Sequence, residues 1–312
     1  MITVAGISPS LDVTYVVDDV RLGQIQRTSE VHRVAGGKSL NLARAAKVLG
    51  ADVELTGIFC GPTGDWLVAE LERCGIKVSR VDGLAETRMC VSISSVATGA
   101  LTEVYQNAPA VDARVWQAFC LTWEQHAAGR PGWLVISGGT PGGLAPVVLG
   151  DLVTQGHRLG LKVAVDTYGA LLPAAVAAGP ELIKINRYEA AGLLGVPDTC
   201  DLMEMAAVIH RTNAAASSAV VLTDGTDGAI GLDDHGRWRV PAQPMVGRFP
   251  VGSGDCFLGG LVTALDRDEE LTEALRWASA GGTANALLPG PAVFDPEVAT
   301  LIHDQIQVVD VS

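Results

Sequence analysis

Short, uninterrupted apolar runs punctuate the chain. Residues 2–7, 52–59, 133–137, 161–166, 181–185 and 219–223 are each rich in aliphatic side chains with little polar alternation. Runs of this kind predict strands buried on both faces. Helically spaced segments separate the later runs, which gives the βαβ rhythm of a parallel sheet covered by helices. Residues 40–49 also have helical spacing and stop at Gly50, a favourable residue just beyond a helix end. Asp65 is placed to cap a helix that ends near Gly75. The C-terminal third adds strands over 227–232 and 236–240 and helices over 255–266 and 269–287.

Two stretches fall outside this rhythm. Residues 13–33 alternate apolar and polar and are rich in Val, Thr and Arg, and 88–97 and 101–107 read as strands joined by a Gly-containing turn. They are too short and polar for a separate domain. They predict a small β-sheet lid, inserted at about 12–34 and 86–108 into one domain spanning 1–312. No internal repeat or low-complexity tract is present.

Composition narrows the partners. Hydrophobic residues make up 48% of the 312 positions, enough for a sizeable core, and aromatics only 5%, so Ala, Val, Leu and Gly must build it. A net charge of -13 repels nucleic acid and anionic lipid, so neither is expected as a partner. Any phosphate site must then be a local cationic pocket. Six cysteines without C-x-x-C spacing read as reduced thiols of a cytoplasmic protein. The N-terminus has no basic leader and reads as a first strand, and no apolar run approaches the roughly 18 residues of a membrane span. His32, His126, His157, His210, His235 and His303 are scattered and read as surface residues.

Four motifs carry chemistry. Val251-Gly252-Ser253-Gly254-Asp255 precedes the apolar helix opened by Cys256-Phe257-Leu258. Two glycines let successive N–H groups point into one concavity, and the positive end of the helix faces it. This suits a transferring phosphoryl group, with Asp255 accepting a proton from an attacking hydroxyl. An ordinary loop with an Asp cap would look the same. Cys256 lies in the first helical turn, where the dipole lowers a thiol pKa, unless the thiol is buried and inert. Gly36-Gly37-Lys38-Ser39-Leu40-Asn41 ends like a nucleotide P-loop, but His32 stands where that loop needs its first Gly. The glycine pair instead allows close approach to a small substrate, with Lys38 and Asn41 as donors, or is only a Gly-rich helix entry. Asp12 follows the first strand, where open α/β sheets bind ligands, and could accept bonds from sugar hydroxyls or serve a turn. Asn186 and Glu189, three apart, offer oxygens toward a magnesium ion through water, or form a helix start with an exposed Glu.

In this order the motifs resemble the ribokinase-like carbohydrate kinases, in particular the phosphofructokinase B group with its 1-phosphofructokinase and tagatose-6-phosphate kinase branch. Thr87-Arg88, Ser137-Gly138-Gly139-Thr140-Pro141, Lys184-x-Asn186-x-x-Glu189, Thr223-Asp224-Gly225-x-x-Gly228 and Gly252-x-Gly254-Asp255 carry the resemblance along essentially the whole chain. It implies an α/β fold with a Rossmann-type, mostly parallel central sheet flanked by helices, and a β-lid that closes over the sugar and forms a homodimer contact. It implies ATP-dependent phosphorylation of a sugar-phosphate hydroxyl, with ATP and Mg2+. A kinase for an unphosphorylated sugar or nucleoside, and a non-catalytic sugar-binding dimer, are the alternatives. Asp12, Gly37, Lys38, Asn41 and Ser137 would hold the sugar, and Arg27, Lys38 and Arg88 its phosphate. Lys184, Asn186, Thr223, Gly225, Gly228 and Asn285 would lie along ATP, with Asn186 and Glu189 toward Mg2+. Gly252, Ser253 and Gly254 would form the anion hole, and Asp255 the base. The family usually has Asn in place of Ser8, Gly in place of Ser39, Ser-Leu-Pro-Pro in place of 139–142 and Pro in place of Ile185.

Overall fold

A computed structural model of the protein describes every residue except Ser29, Ala216, Val246 and Ser312. In chain order the elements are β1 (Ile2–Gly6), β2 (Ser10–Val17), β3 (Glu30–Gly36), α1 (Lys38–Val48), β4 (Val53–Phe59), α2 (Gly61–Arg73), β5 (Lys77–Asp82), β6 (Met89–Ser95), β7 (Leu101–Tyr105), α3 (Ala113–Ala127), β8 (Trp133–Ser137) and α4 (Val148–Arg158). They continue with β9 (Lys162–Asp166), α5 (Leu172–Ala177), β10 (Leu182–Asn186), α6 (Arg187–Leu194), α7 (Leu202–Thr212), β11 (Ala219–Thr223), β12 (Gly228–Leu232), β13 (Arg237–Pro241), α8 (Ser253–Leu265), α9 (Leu271–Asn285), α10 (Pro296–His303) and β14 (Val309–Asp310).

Ten strands form one sheet in the order β14-β13-β12-β11-β10-β9-β8-β1-β4-β5. From β5 to β11 every pairing is parallel, and β12, β13 and β14 add antiparallel strands at one edge. β1, β4 and β8 are buried at every position between two helical layers and are mostly apolar, and the one buried carboxylate among them, Glu54 of β4, is paired with Lys77 and Arg130. The register sets Ser137 opposite Asp166 and Asn186 opposite Thr223, all at the carboxyl ends of their strands. α8 is apolar around most of its circumference because it is enclosed, packing against α1 and α9.

A second sheet runs β3-β2-β6-β7 and unites the two stretches that break the βαβ rhythm. β2 pairs parallel with β6, while the two outer pairs are antiparallel. Residues 18–28 contain no strand, so the expected strand content of 13–33 is confined to its two ends. The start of α2 also differs from expectation. Pro62 occupies an early helical position and Cys60 is the cap, so Asp65 lies inside the helix and pairs with Arg80 of β5. β5 carries no apolar run because it is an edge strand that buries only Val81. His303 is buried rather than exposed: it is stacked on Trp277 at 4.1 Å between centroids and bonded to Glu273 at 2.6 Å. No helix among the described residues is long and apolar enough to cross a membrane.

Candidate active site

The carboxyl ends of β8, β9, β10 and β11 open on the same side of the sheet as the starts of α1 and α8, and the small sheet borders that opening. A cleft of about 400 Å³ results, with Asp12, Gly37, Lys38, Asn41, Arg88, Ser137, Lys184, Asn186, Glu189, Gly252, Gly254 and Asp255 on its walls. A cavity of about 350 Å³ adjoins it, sharing Thr223 and Gly254 and bordered by Gly225, Gly228, Ser253 and the α9 residues Gly282 and Thr283. Both volumes fall in the range of small-ligand sites.

Asp255 stands in the first turn of α8, capped by Gly252 at φ 80°. Its carboxyl is buried and accepts a 2.8 Å bond from the Asn41 amide. Burial pushes its pKa up to about 6; Lys38 opposes that rise and Asp166 adds to it. The anion hole is narrower than the sequence suggests. The Ser253 N–H is spent on the Pro250 carbonyl at 3.0 Å, which leaves the Gly254 and Asp255 N–H groups without acceptors among the described residues. Of the two readings of Cys256, the structure shows the buried thiol. It is fully buried, its thiol contacts Asn285 Oδ1 at 3.3 Å, and burial together with Asp255 raises its pKa, outweighing any dipole effect.

Asp166, at the end of β9, is fully buried between two ammonium groups. Lys38 reaches one of its oxygens and Lys184 the other, both at 2.8 Å. Burial works against ionisation of Asp166, but Lys184 and then Lys38 outweigh it and hold its pKa below the usual range. Burial likewise opposes the charge on Lys38, yet Asp166, Asp255 and Glu189 raise its pKa above the ordinary lysine value. Glu189 lies 3.7 Å from Lys38. With Asn186 it forms a reciprocal cap of α6: Asn186 Oδ1 accepts from the Glu189 N–H at 2.9 Å, and Glu189 Oε2 accepts from the Asn186 N–H at 2.8 Å. One carboxylate oxygen of Glu189 therefore remains for a ligand. No cluster of three or more metal-ligating side chains exists among the described residues. That donor set fits Mg2+, which takes most of its ligands from phosphates and water.

At the other end of the cleft, Asp12 accepts from Ser10 Oγ at 2.6 Å, and burial raises its pKa. A Cβ at Gly36 would lie 2.1 Å from the Asp12 carboxyl, so the first glycine of the pair makes room for this acid. Asn41 Oδ1 and Ser137 Oγ are buried without partners, an arrangement that awaits a polar ligand. Arg88 donates to the carbonyls of Ser8, Pro9 and Gln106 at 3.2, 3.4 and 3.3 Å, which fixes its guanidinium at the cleft wall without a paired carboxylate. Arg27 is not brought to this place. It is exposed on the segment between β2 and β3 and lines neither cavity.

The sequence profile of the pfkB family carbohydrate kinases matches residues 1–297. The chain belongs to the pfkB family of carbohydrate kinases. It is 27% identical over 318 aligned positions to a tagatose-6-phosphate kinase of Staphylococcus epidermidis, with both chains covered in full. Its fold superposes with a TM-score of 0.90 on phosphofructokinase-2 of Escherichia coli in complex with potassium, at 26% identity over 97% of this chain and 98% of that one. The same enzyme in complex with fructose-6-phosphate gives a TM-score of 0.88 at the same identity and coverage. The protein is thus an ATP-dependent carbohydrate kinase with the ribokinase-like fold.

Several residues of this pfkB kinase matter in ways its sequence did not announce. Asn285 lines neither cavity. It is fully buried, donating to Val251 O at 2.9 Å and Ser253 Oγ at 3.1 Å and accepting from the Ala292 N–H at 2.6 Å. Ala292 holds φ at 53°, a strained value for a residue with a side chain. The adjacent Pro291 carbonyl accepts from the buried guanidinium of Arg44. Pro291 in turn backs Gly252 so closely that a Cβ there would meet its ring at 2.5 Å. Lys184 and Asn186 line the cleft that holds Asp12 and Asp255 rather than the second cavity. An Asp at the end of a parallel strand was the one available signal for Asp166. Nothing local marks Arg44, whose position on the inner face of α1 shows only when α8 and α9 are packed.

Proposed function

We propose that this kinase transfers the γ-phosphoryl group of ATP to a hydroxyl of a ketohexose phosphate, with Asp255 as general base. The observation that carries this reading is the Asp255 carboxyl, buried, oriented by Asn41 and pushed up to a pKa of about 6, in a cleft whose shared border with a second cavity includes the adjacent Gly254. It is ionised at neutral pH yet basic enough to take the proton of an attacking hydroxyl. ATP fits the cavity along Thr223, Gly225 and Gly228, and the acceptor fits the cleft beside Asp12, Asn41 and Ser137. The free Gly254 and Asp255 N–H groups, with Lys38, would meet the charge of the group in flight. Asn186 and Glu189 would hold Mg2+, which supplies charge neutralisation at the ATP phosphates.

Arg88 supports a phosphorylated acceptor, because its cationic head faces the cleft with only carbonyls as partners. Lys38 is a weaker candidate for that role, since Asp166 and Glu189 already counter its charge. Arg27 is proposed only as a contact that closure of the small sheet would bring in. The similarity to a tagatose-6-phosphate kinase and to phosphofructokinase-2 points the same way. Val31 and Val104 remain exposed on the small sheet, which supports its use as a homodimer contact, and six free thiols suit a reducing compartment. ADP release measured with fructose 1-phosphate, fructose 6-phosphate, tagatose 6-phosphate and fructose tests the reading. At least one phosphate ester should exceed fructose about 100-fold in kcat/KM, the worth of two charge-assisted bonds. Equal values would overturn it.

A further inference from the structure

The loops that end β8 and β9 are stitched together. The Gly138 N–H donates to Asp166 O at 2.8 Å, and Thr167 Oγ1 donates to Gly138 O at 2.9 Å. This sets Gly139 beside Tyr168. A Cβ built on Gly139 would lie 2.6 Å from the Tyr168 hydroxyl and 3.3 Å from the ring carbon that bears it. The phenol therefore occupies space that any other residue at 139 would claim. The ring also borders the acceptor cleft, with Lys38 Nζ 5.4 Å from its centroid. Its hydroxyl has no hydrogen-bond partner among the described residues, and the nearby Ser137 Oγ is also unpaired. Tyr168 keeps 47% exposure, so the core does not need it.

We propose that Tyr168 is a specificity-determining residue of the acceptor pocket, its hydroxyl donating to an oxygen of the bound acceptor from the space that Gly139 vacates. The inference rests on the reading of this cleft as the acceptor site. A phenol at this place supplies a hydrogen-bond donor on a rigid two-torsion side chain, so little entropy is lost on binding. It also narrows the cleft, which selects among sugars by the orientation of the hydroxyl or phosphate oxygen it meets.

The test uses Tyr168→Phe, Gly139→Ser and the double variant Gly139→Ser/Tyr168→Ala, with Tyr168→Ala completing the cycle. Tyr168→Phe should lower kcat/KM for the preferred acceptor about 10-fold, chiefly through KM, the worth of one hydrogen bond to a charged group. KM for ATP and the acidic limb of the pH profile should not move. Gly139→Ser should cause a similar loss by displacing the phenol, and adding it to Tyr168→Ala should cost little more. Tyr168→Phe within twofold of wild type, or losses that simply add across the cycle, would overturn the proposal. Wild type that prefers the plain sugar would sink the sugar-phosphate reading instead, and the same variants would then be scored on that sugar.

Discussion

The Asn41 amide donates to Asp255 Oδ2 at 2.8 Å across 214 residues of sequence. The bond ties the start of α1 to the start of α8, so the same contact that packs two helices also aims the carboxylate. Each partner is buried, so the bond is only weakly screened.

Asp255→Asn is the first consequence. Removing a general base is expected to lower kcat by about 10²–10⁴, or roughly 3–5 kcal/mol of barrier. Stability should move the other way. The folded pKa of about 6 lies above the 3.8 of the free side chain, so the folded state holds this proton more tightly and loses stability as pH rises between these values. By neutral pH the accumulated cost is about 3 kcal/mol as an upper bound. Asp255→Asn should therefore unfold at a higher temperature than wild type at pH 7.5, with the gain shrinking toward pH 4. Activity near wild type, or a lower melting temperature at pH 7.5, would count against the assignment.

The same carboxyl sets the pH profile. kcat/KM should fall on the acidic side with an apparent pKa near 6, because the base must be ionised. Lys38 stabilises the ionised form, so in Lys38→Met the residual activity, scaled to its own plateau, should show this limb displaced to higher pH. A limb that stays in place would mean that another group is being titrated.

Glu189→Gln retains an oxygen for the α6 cap but loses the carboxylate charge. The concentration of free Mg2+ needed for half-maximal rate is expected to rise several-fold, with acceptor binding unchanged. An unaltered magnesium curve would leave Glu189 with capping and Lys38 pairing alone.

Arg44→Met keeps an unbranched apolar stem, shorter by the guanidinium, and removes the bond to Pro291 O. The turn at Ala292 is held in a strained conformation, so its release should let Gly252 shift. kcat is expected to drop about 10-fold while KM for the acceptor holds, and stability should fall by about 1–3 kcal/mol, the cost of an orphaned buried carbonyl. Comparable changes in KM and kcat would argue for a general packing defect.

Thiol labelling separates two cysteines. Cys74 is exposed and should react in the native protein without loss of activity, whereas Cys256 should react only on unfolding. Rapid native labelling of Cys256 would contradict its burial and raised pKa.

Much of the molecule was legible in the chain because it depends on local pattern. Strands covered on both faces are mostly apolar, so β8 and β11 appear at their true bounds. Tight backbone approaches require glycine, so 36–37 and 252–254 stand out. What the chain alone could not settle is which charged groups share a buried space. Asp166 looks like any strand-end Asp until α1 and β10 deliver Lys38 and Lys184 to its two oxygens. Cys256 has a sequence position that suggests reactivity and an enclosure that removes it. Arg88 reaches the cleft while Arg27 does not, although both lie on the small-sheet stretches. Tyr168 gains meaning only from the missing side chain at Gly139. Burial and charge pairing are set by residues distant in sequence, and a low dielectric makes those neighbours decide each group's protonation and role.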